Sequence, residues 1–178
     1  LPSQSNGEGI NTNNNSKRTW VNQFLPVELT RGLFSFIIQH KEGYLPEAKT
    51  LDNNFVKKLD HVVIKTNNAD SFIDVYNKIF DIRLALDKFI ETWKRRILFF
   101  RLNKTTIEVI EEKDESKISK DILWGLAWEV DDINKKIDEL VADGKDVSEI
   151  KKGVKENTLV ATIKSQTHNV PTLLIQYV

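Results

Sequence analysis

Two residues of this chain combine reactive side chains with settings that would bury them. His61 sits in the run Leu59-Asp60-His61-Val62-Val63-Ile64, and Glu108 sits between Ile107 and Val109 in Thr106-Ile107-Glu108-Val109-Ile110. Both runs are rich in β-branched and other apolar residues and read as strands. A carboxylate buried without a partner is costly, so Glu108 requires one. Three partners stand open: His61, a metal ion, or an arginine such as Arg96 or Arg101. The first is a plain hydrogen bond, the second opens Lewis-acid chemistry, and the third is an ion pair. His61 alone also reads as a satisfied core histidine.

Other side chains carry two readings each. His168 lies in a polar loop before Pro171, either solvated or at the rim of a cavity. Trp93, Trp124 and Trp128 fill core or line a pocket. Lys94-Arg95-Arg96 beside Trp93 is a solvated hairpin end or a clamp for an anion. Strand alternation puts Trp124 and Trp128 on one face, with Gly125 and Ala127 on the other, facing an interior with room in it.

The elements that would position these residues are written twice. After the strand at 59–65, Phe72, Val75, Tyr76, Ile79 and Phe80 fall on one face of a helix, with Asn67 or Asn68 as its N-cap. Strands follow at 82–86, 96–102 and 105–111, the last two joined by a turn at Asn103-Lys104. A second series begins with a strand at 123–130. Asp131 or Asp132 then caps a helix with Ile133, Ile137, Leu140 and Val141 on its apolar face, and Gly144 closes it. Strands at 158–164 and 172–177 complete the series, with a weak strand around 147–150. One such unit has too little core to stand alone, so two must pack together, giving an α+β domain.

Ahead of these units, residues 1–17 are rich in Asn, Ser and Gly and read as a mobile loop or tail. Residues 18–57 read as N-terminal strands and a linker: a short strand at 18–21, a buried strand at 33–39, and a connection at 41–57. The chain starts at Leu1 and has no methionine, which predicts a trimmed chain or a piece of a longer protein. With no cysteine, disulfides, thiolate nucleophiles and Cys-ligated zinc are excluded. Lys plus Arg and Asp plus Glu are 26 each, so no general pull toward nucleic acid or membrane is expected. No apolar run is long enough to span a bilayer and no signal peptide is visible, which predicts a cytoplasmic protein.

The runs at 59–64 and 106–110, with Gly125-Leu126-Ala127-Trp128-Glu129-Val130-Asp131-Asp132, resemble the vicinal oxygen chelate superfamily. That group includes glyoxalase I, fosfomycin and bleomycin resistance proteins, extradiol dioxygenases and methylmalonyl-CoA epimerase. The resemblance covers residues 58–178 and implies paired βαβββ modules, 58–120 and 121–178, forming a half-open barrel with an N-terminal strand pair appended. It implies that 18–57 is the remnant of a preceding like domain. It also implies a small-molecule ligand, a divalent metal (Fe, Mn, Zn, Ni or Co), and lyase, isomerase or dioxygenase chemistry. His61 and Glu108 would be catalytic residues and metal ligands, with Gln176 as a third ligand. Trp93, Arg96, Arg101, Gly125 and His168 would surround the substrate. Gly125 replaces the histidine expected in the second module, and Leu174 falls at its last-strand position. That loss opens the alternative of a metal-free binding or sequestering protein of bleomycin-resistance type, or a degenerate partner domain. The expected assembly is a homodimer, or pairing with a missing like domain.

Overall fold

The computed structural model describes residues 3–44, 56–113 and 119–178. The chain divides into two compact units, Leu1–Thr50 and Leu51–Val178. The first unit is a three-stranded antiparallel sheet of β1 (Gln4–Ile10), β2 (Lys17–Phe24) and β3 (Phe36–Glu42), in that order. The mobile tail expected over 1–17 is thus largely a strand, and the expected strand pair is a triplet. β1 pairs with β2 along its whole length, from Gln4↔Gln23 to Ile10↔Lys17. Its backbone ladder needs no apolar side chains, which is why composition misses it. Gly7 lies under Trp20, where an added Cβ would come within 2.2 Å of the indole. The strand expected over 33–39 begins at Phe36, and all of β3 is exposed rather than buried. Most of the expected linker, 45–55, lies outside the described residues.

The second unit holds the duplicated series. Its first module is β4 (Val56–Thr66), α1 (Ala69–Ile73) running on as a π-helical turn (Asp74–Ile79), β5 (Arg83–Ile90), β6 (Arg95–Leu102) and β7 (Thr105–Glu111). Its second is β8 (Ile122–Val130), α2 (Ile133–Ala142), β9 (Lys151–Lys152), β10 (Thr158–Ile163) and β11 (Thr172–Tyr177). The eight strands form one mixed sheet in the order β5-β6-β7-β4-β8-β11-β10-β9. The order reads alike from either edge: β4 and β8 meet antiparallel at the centre, and each is flanked by the last strand of its own module, paired parallel. The weak strand expected around 147–150 is a single bridge, Val147↔Ile163, followed by the two-residue β9.

Both helices cover the same face of the sheet. Phe72 and Tyr76 stack at 4.1 Å, and Phe72 packs against Phe100 of β6. Around α2, Ile133 packs with Val130, Ala161 and Leu174. The π-helical turn widens the first helix, so the expected apolar face ends early and Ile79 is 59% exposed. The capping scheme is duplicated. The Asn68 side chain accepts from the Ser71 N–H, and Asp132 accepts from the Lys135 N–H. From the last strand of each module, Glu111 accepts from the Ala69 N–H at 3.0 Å and Gln176 from the Ile133 N–H at 2.9 Å.

Candidate functional site

The other face of the sheet encloses a cavity of about 420 Å³. Its walls are mostly apolar, including Val63, Phe99, Ile110, Leu126, Leu173 and Ile175, with Trp93 and Trp124 contributing rings. The sheet must curl strongly to build it. Lys155, in the loop after the edge strand β9, donates from Nζ to Asp60 Oδ2 on the central strand β4 at 2.8 Å.

His61 and Glu108 meet in this cavity. His61 is 5% exposed, and its Nε2 lies 3.3 Å from Glu108 Oε2. β4 and β7 are parallel with His61 opposite Thr106 and Val63 opposite Glu108, so the two side chains are diagonal neighbours on one face. Of the partners open to Glu108 from sequence, the structure supplies His61. Burial pushes the Glu108 carboxyl above its ordinary value, against the opposing charges of His61 and Lys155.

Behind His61 lies a network that sequence reasoning missed. The His61 Nδ1–H donates to Asp60 Oδ2 at 2.7 Å, and the Tyr177 hydroxyl donates to Asp60 Oδ1 at 2.8 Å. Lys155 also donates to the Tyr177 oxygen at 3.1 Å. Burial alone would raise the Asp60 carboxyl, but donors from His61, Lys155 and Tyr177 overcome it and hold it well below the carboxylate range. Burial likewise opposes the charge on Lys155, and Asp60 more than restores it. An ionised Asp60 only accepts, so Nδ1 carries the hydrogen and Nε2 is turned toward Glu108. Alternation would put Asp60 and His61 on opposite faces. A β-bulge between Leu59 and His61, where Asp60 has no partner on β8, brings their side chains together.

A second bulge corrects another expectation. Val63 pairs with Gly125 and Ile64 with Leu123, leaving Trp124 as the extra residue in β8. Trp124 therefore turns into the cavity, where Lys65 lies 4.3 Å from its ring, while Trp128 packs on the α2 side.

Of the remaining expected site residues, Trp93 and Gly125 line the cavity. Gly125 does not leave room, however: an added Cβ would stand 2.9 Å from the Pro171 carbonyl oxygen. Arg96 is on the helix side, bound to both oxygens of Asp87 and to Asp70 at 2.7–2.8 Å, because residue 96 falls on the opposite face of β6 from Phe99. Arg101 shares the Phe99 face but opens onto a neighbouring groove, where it donates to Thr106 Oγ1. His168 is exposed in a turn with φ 51° and does not line the cavity. Gln176 faces α2 and caps it, so it is unavailable as a cavity ligand.

The caps fix which positions correspond. His61 and Gly125 each stand seven residues before their helix cap, Asn68 and Asp132. Glu108 and Leu173 each stand three residues before the cap donated by the last strand, Glu111 and Gln176. The counterpart of Glu108 is thus Leu173 rather than Leu174, which lies in the α2 core.

Residues 60–162 match the Glyoxalase/Bleomycin resistance protein/Dioxygenase superfamily. The chain belongs to this superfamily. Its fold is also that of solved structures at low identity. Methylmalonyl-CoA epimerase from Mycobacterium tuberculosis superposes with a TM-score of 0.62 at 19% identity, over 72% of this chain and 93% of that one. A variant of the Streptomyces coelicolor methylmalonyl-CoA epimerase, in complex with 2-nitronate-propionyl-CoA, gives 0.59 at 15%, over 69% and 96%. A hypothetical protein from Bacillus halodurans gives 0.59 at 19%, over 68% and 94%. No curated protein matches the sequence. Among the described residues no helix is long and apolar enough to cross a membrane.

Superfamily membership raises the question of a divalent metal. His61 Nε2 and Glu108 Oε2 are close enough to share an ion. The corresponding positions of the second module offer Gly125 and Leu173, which are not donors, and Gln176 is committed to α2. Among the described residues, no three His, Cys, Asp or Glu side chains are placed to hold a metal. The donor set does not fit a catalytic metal held by three protein ligands.

Proposed function

We propose that the second unit binds a small molecule in the barrel cavity and moves a proton at it, an isomerase-type reaction with Glu108 as the acid–base group. The observation that carries this reading is the Glu108 carboxyl itself. It is buried at the floor of an apolar cavity, raised above its ordinary value, and faced by a single imidazole at 3.3 Å. A carboxylate so placed is a stronger base than one in water, and a carboxyl nearer neutrality is a better match for general acid–base work at physiological pH. The roles then divide. Glu108 takes a proton from a carbon of the bound molecule and returns it. His61 Nε2 holds the carboxyl in place and shares its proton. Asp60 fixes the imidazole through Nδ1, and Lys155 with Tyr177 hold Asp60. The apolar walls exclude water that would otherwise compete for the proton.

A second reading, sequestration without chemistry, is favoured by the donor-free second module, Gly125 and Leu173. One experiment separates the two. Compounds that raise the melting temperature are identified, then incubated in D₂O with wild type and with Glu108→Gln. Deuterium uptake by a bound compound, seen by mass spectrometry with wild type and lost at least about tenfold in the variant, supports proton transfer. Equal stabilisation with no uptake in either protein supports sequestration and removes the proton-transfer role.

A further inference from the structure

The cavity mouth is asymmetric in charge. Lys151, Lys152 and Lys155 line one side, whereas Glu108 is the only acidic residue among the described residues that line the cavity. Lys155 is matched by Asp60, whereas Lys151 is exposed and makes no ion pair among the described residues; it shares the face of its partner Val160, which lines the cavity, while Lys152 shares that of Leu159 on the α2 side. The loop that follows β9 and carries Lys155 is held close. Gly153 donates to the Thr158 carbonyl at 2.9 Å, and an added Cβ at Gly153 would stand 2.2 Å from Thr158 Oγ1. Thr158 Oγ1 in turn donates to the Lys155 carbonyl at 2.6 Å, and Lys155 is anchored on Asp60 and Tyr177. Lys151 is therefore presented beside Lys155 on a fixed rim above an aromatic-lined apolar hollow.

We infer that the ligand of this cavity is an amphipathic anion, with an apolar or aromatic body lying against Trp93, Phe99 and Trp124 and an acidic head held by Lys151 beside Lys155. This rests on the reading of the cavity as a small-molecule site. Burying the body releases water from apolar walls, while the head stays at the solvent edge, where two cations attract it without full desolvation. The attraction acts across a partly screened mouth and weakens with salt. A competing account makes the lysines guards of the exposed edge strand β9 against pairing with other chains.

Isothermal titration of the full chain with naphthalene-2-acetate, naphthalene-2-acetamide and 2-naphthyl phosphate tests this, since the first two differ only in charge. At low salt the acetate or the phosphate should bind about tenfold more tightly than the amide, with the advantage shrinking toward 0.5 M salt. The phosphate arm tells which acid the rim prefers. Lys151→Gln should bring acid and amide to within about twofold while leaving the amide affinity unchanged, and Lys152→Gln, on the other face of β9, should keep the acid preference. Trp124→Ala should weaken both alike. Equal binding of acid and amide by wild type overturns the proposal while leaving the cavity reading standing. So does an acid preference that survives in Lys151→Gln, as the edge-guard account requires. Binding of none of the three overturns both.

Discussion

The two modules of the second unit share a scaffold and differ in what they point into the cavity. Each has the same strand order, an Asn or Asp helix cap, and a last-strand side chain, Glu111 or Gln176, that reaches under the helix to accept from its first N–H. These groups face the helices and serve folding. On the cavity side, the first module offers His61 and Glu108 and the second offers Gly125 and Leu173. The difference teaches that the duplicated fold depends on caps and strand pairing, which both halves keep, and does not depend on polar cavity residues. Nor is Gly125 a vacated ligand position. The chain entering β11 packs against it, with Pro171 O accepting from the Leu126 N–H at 3.0 Å, so the second module is closed where the first is open.

The largest test of that asymmetry is Asp60→Ala. It strips the partner from His61, Lys155 and Tyr177, and chemical denaturation should show a loss of about 3 kcal/mol, as for a broken buried charge network. The pH dependence is specific. Asp60 is depressed in the folded state, so its contribution is whole above its unfolded value near 3.8 and is lost as pH falls through the lower native value. The acid limb of wild-type stability should flatten in Asp60→Asn. Next comes Gly125→His, which would put the first module's side chain at the corresponding position of the second. The crowding against Pro171 should cost about 2 kcal/mol, and a variant as stable as wild type would break the account of a closed second half. The caps should behave as equals: Glu111→Ala and Gln176→Ala should each cost about 1 kcal/mol in denaturant melts, and a wide gap between them would show that the modules share geometry without sharing energetics.

The smallest effect has the opposite sign. Glu108 is raised in the folded state, so stability falls as pH climbs from its unfolded toward its native value. Glu108→Gln should therefore be more stable than wild type by about 1 kcal/mol at pH 7, with the advantage vanishing near pH 4, as expected where a functional group is kept against stability. The thermal melts at the two pH values read this directly.

Much of the scaffold is legible in the residues. The hydrophobic periods place β7 and β11 at their observed bounds, and Asn68, Asp132 and Gly144 mark helix ends through their own local chemistry. The strand β1 escapes because its stability lies in backbone pairing with β2 and in two glycines fitted under Trp20. At the site, His61, Glu108 and Trp93 are legible, while Arg96, Arg101, His168 and Gln176 are not where their types imply. For Arg96 and Gln176 the cause is face: period-two alternation fixes relative sides within a strand, but only packing decides which side meets a helix.

The amino-acid order determined the duplication and the strand–helix rhythm, and left open which partner Glu108 would meet. The first two follow from side-chain periodicity and local caps, which act over a few residues. Tertiary structure alone decided the rest. Two bulges turned Asp60 and Trp124 inward, the curl of the sheet carried Lys155 and Tyr177 to Asp60, and the approach of Pro171 sealed Gly125. Each is a contact between segments far apart in the chain, whose energy exists only once the sheet has closed.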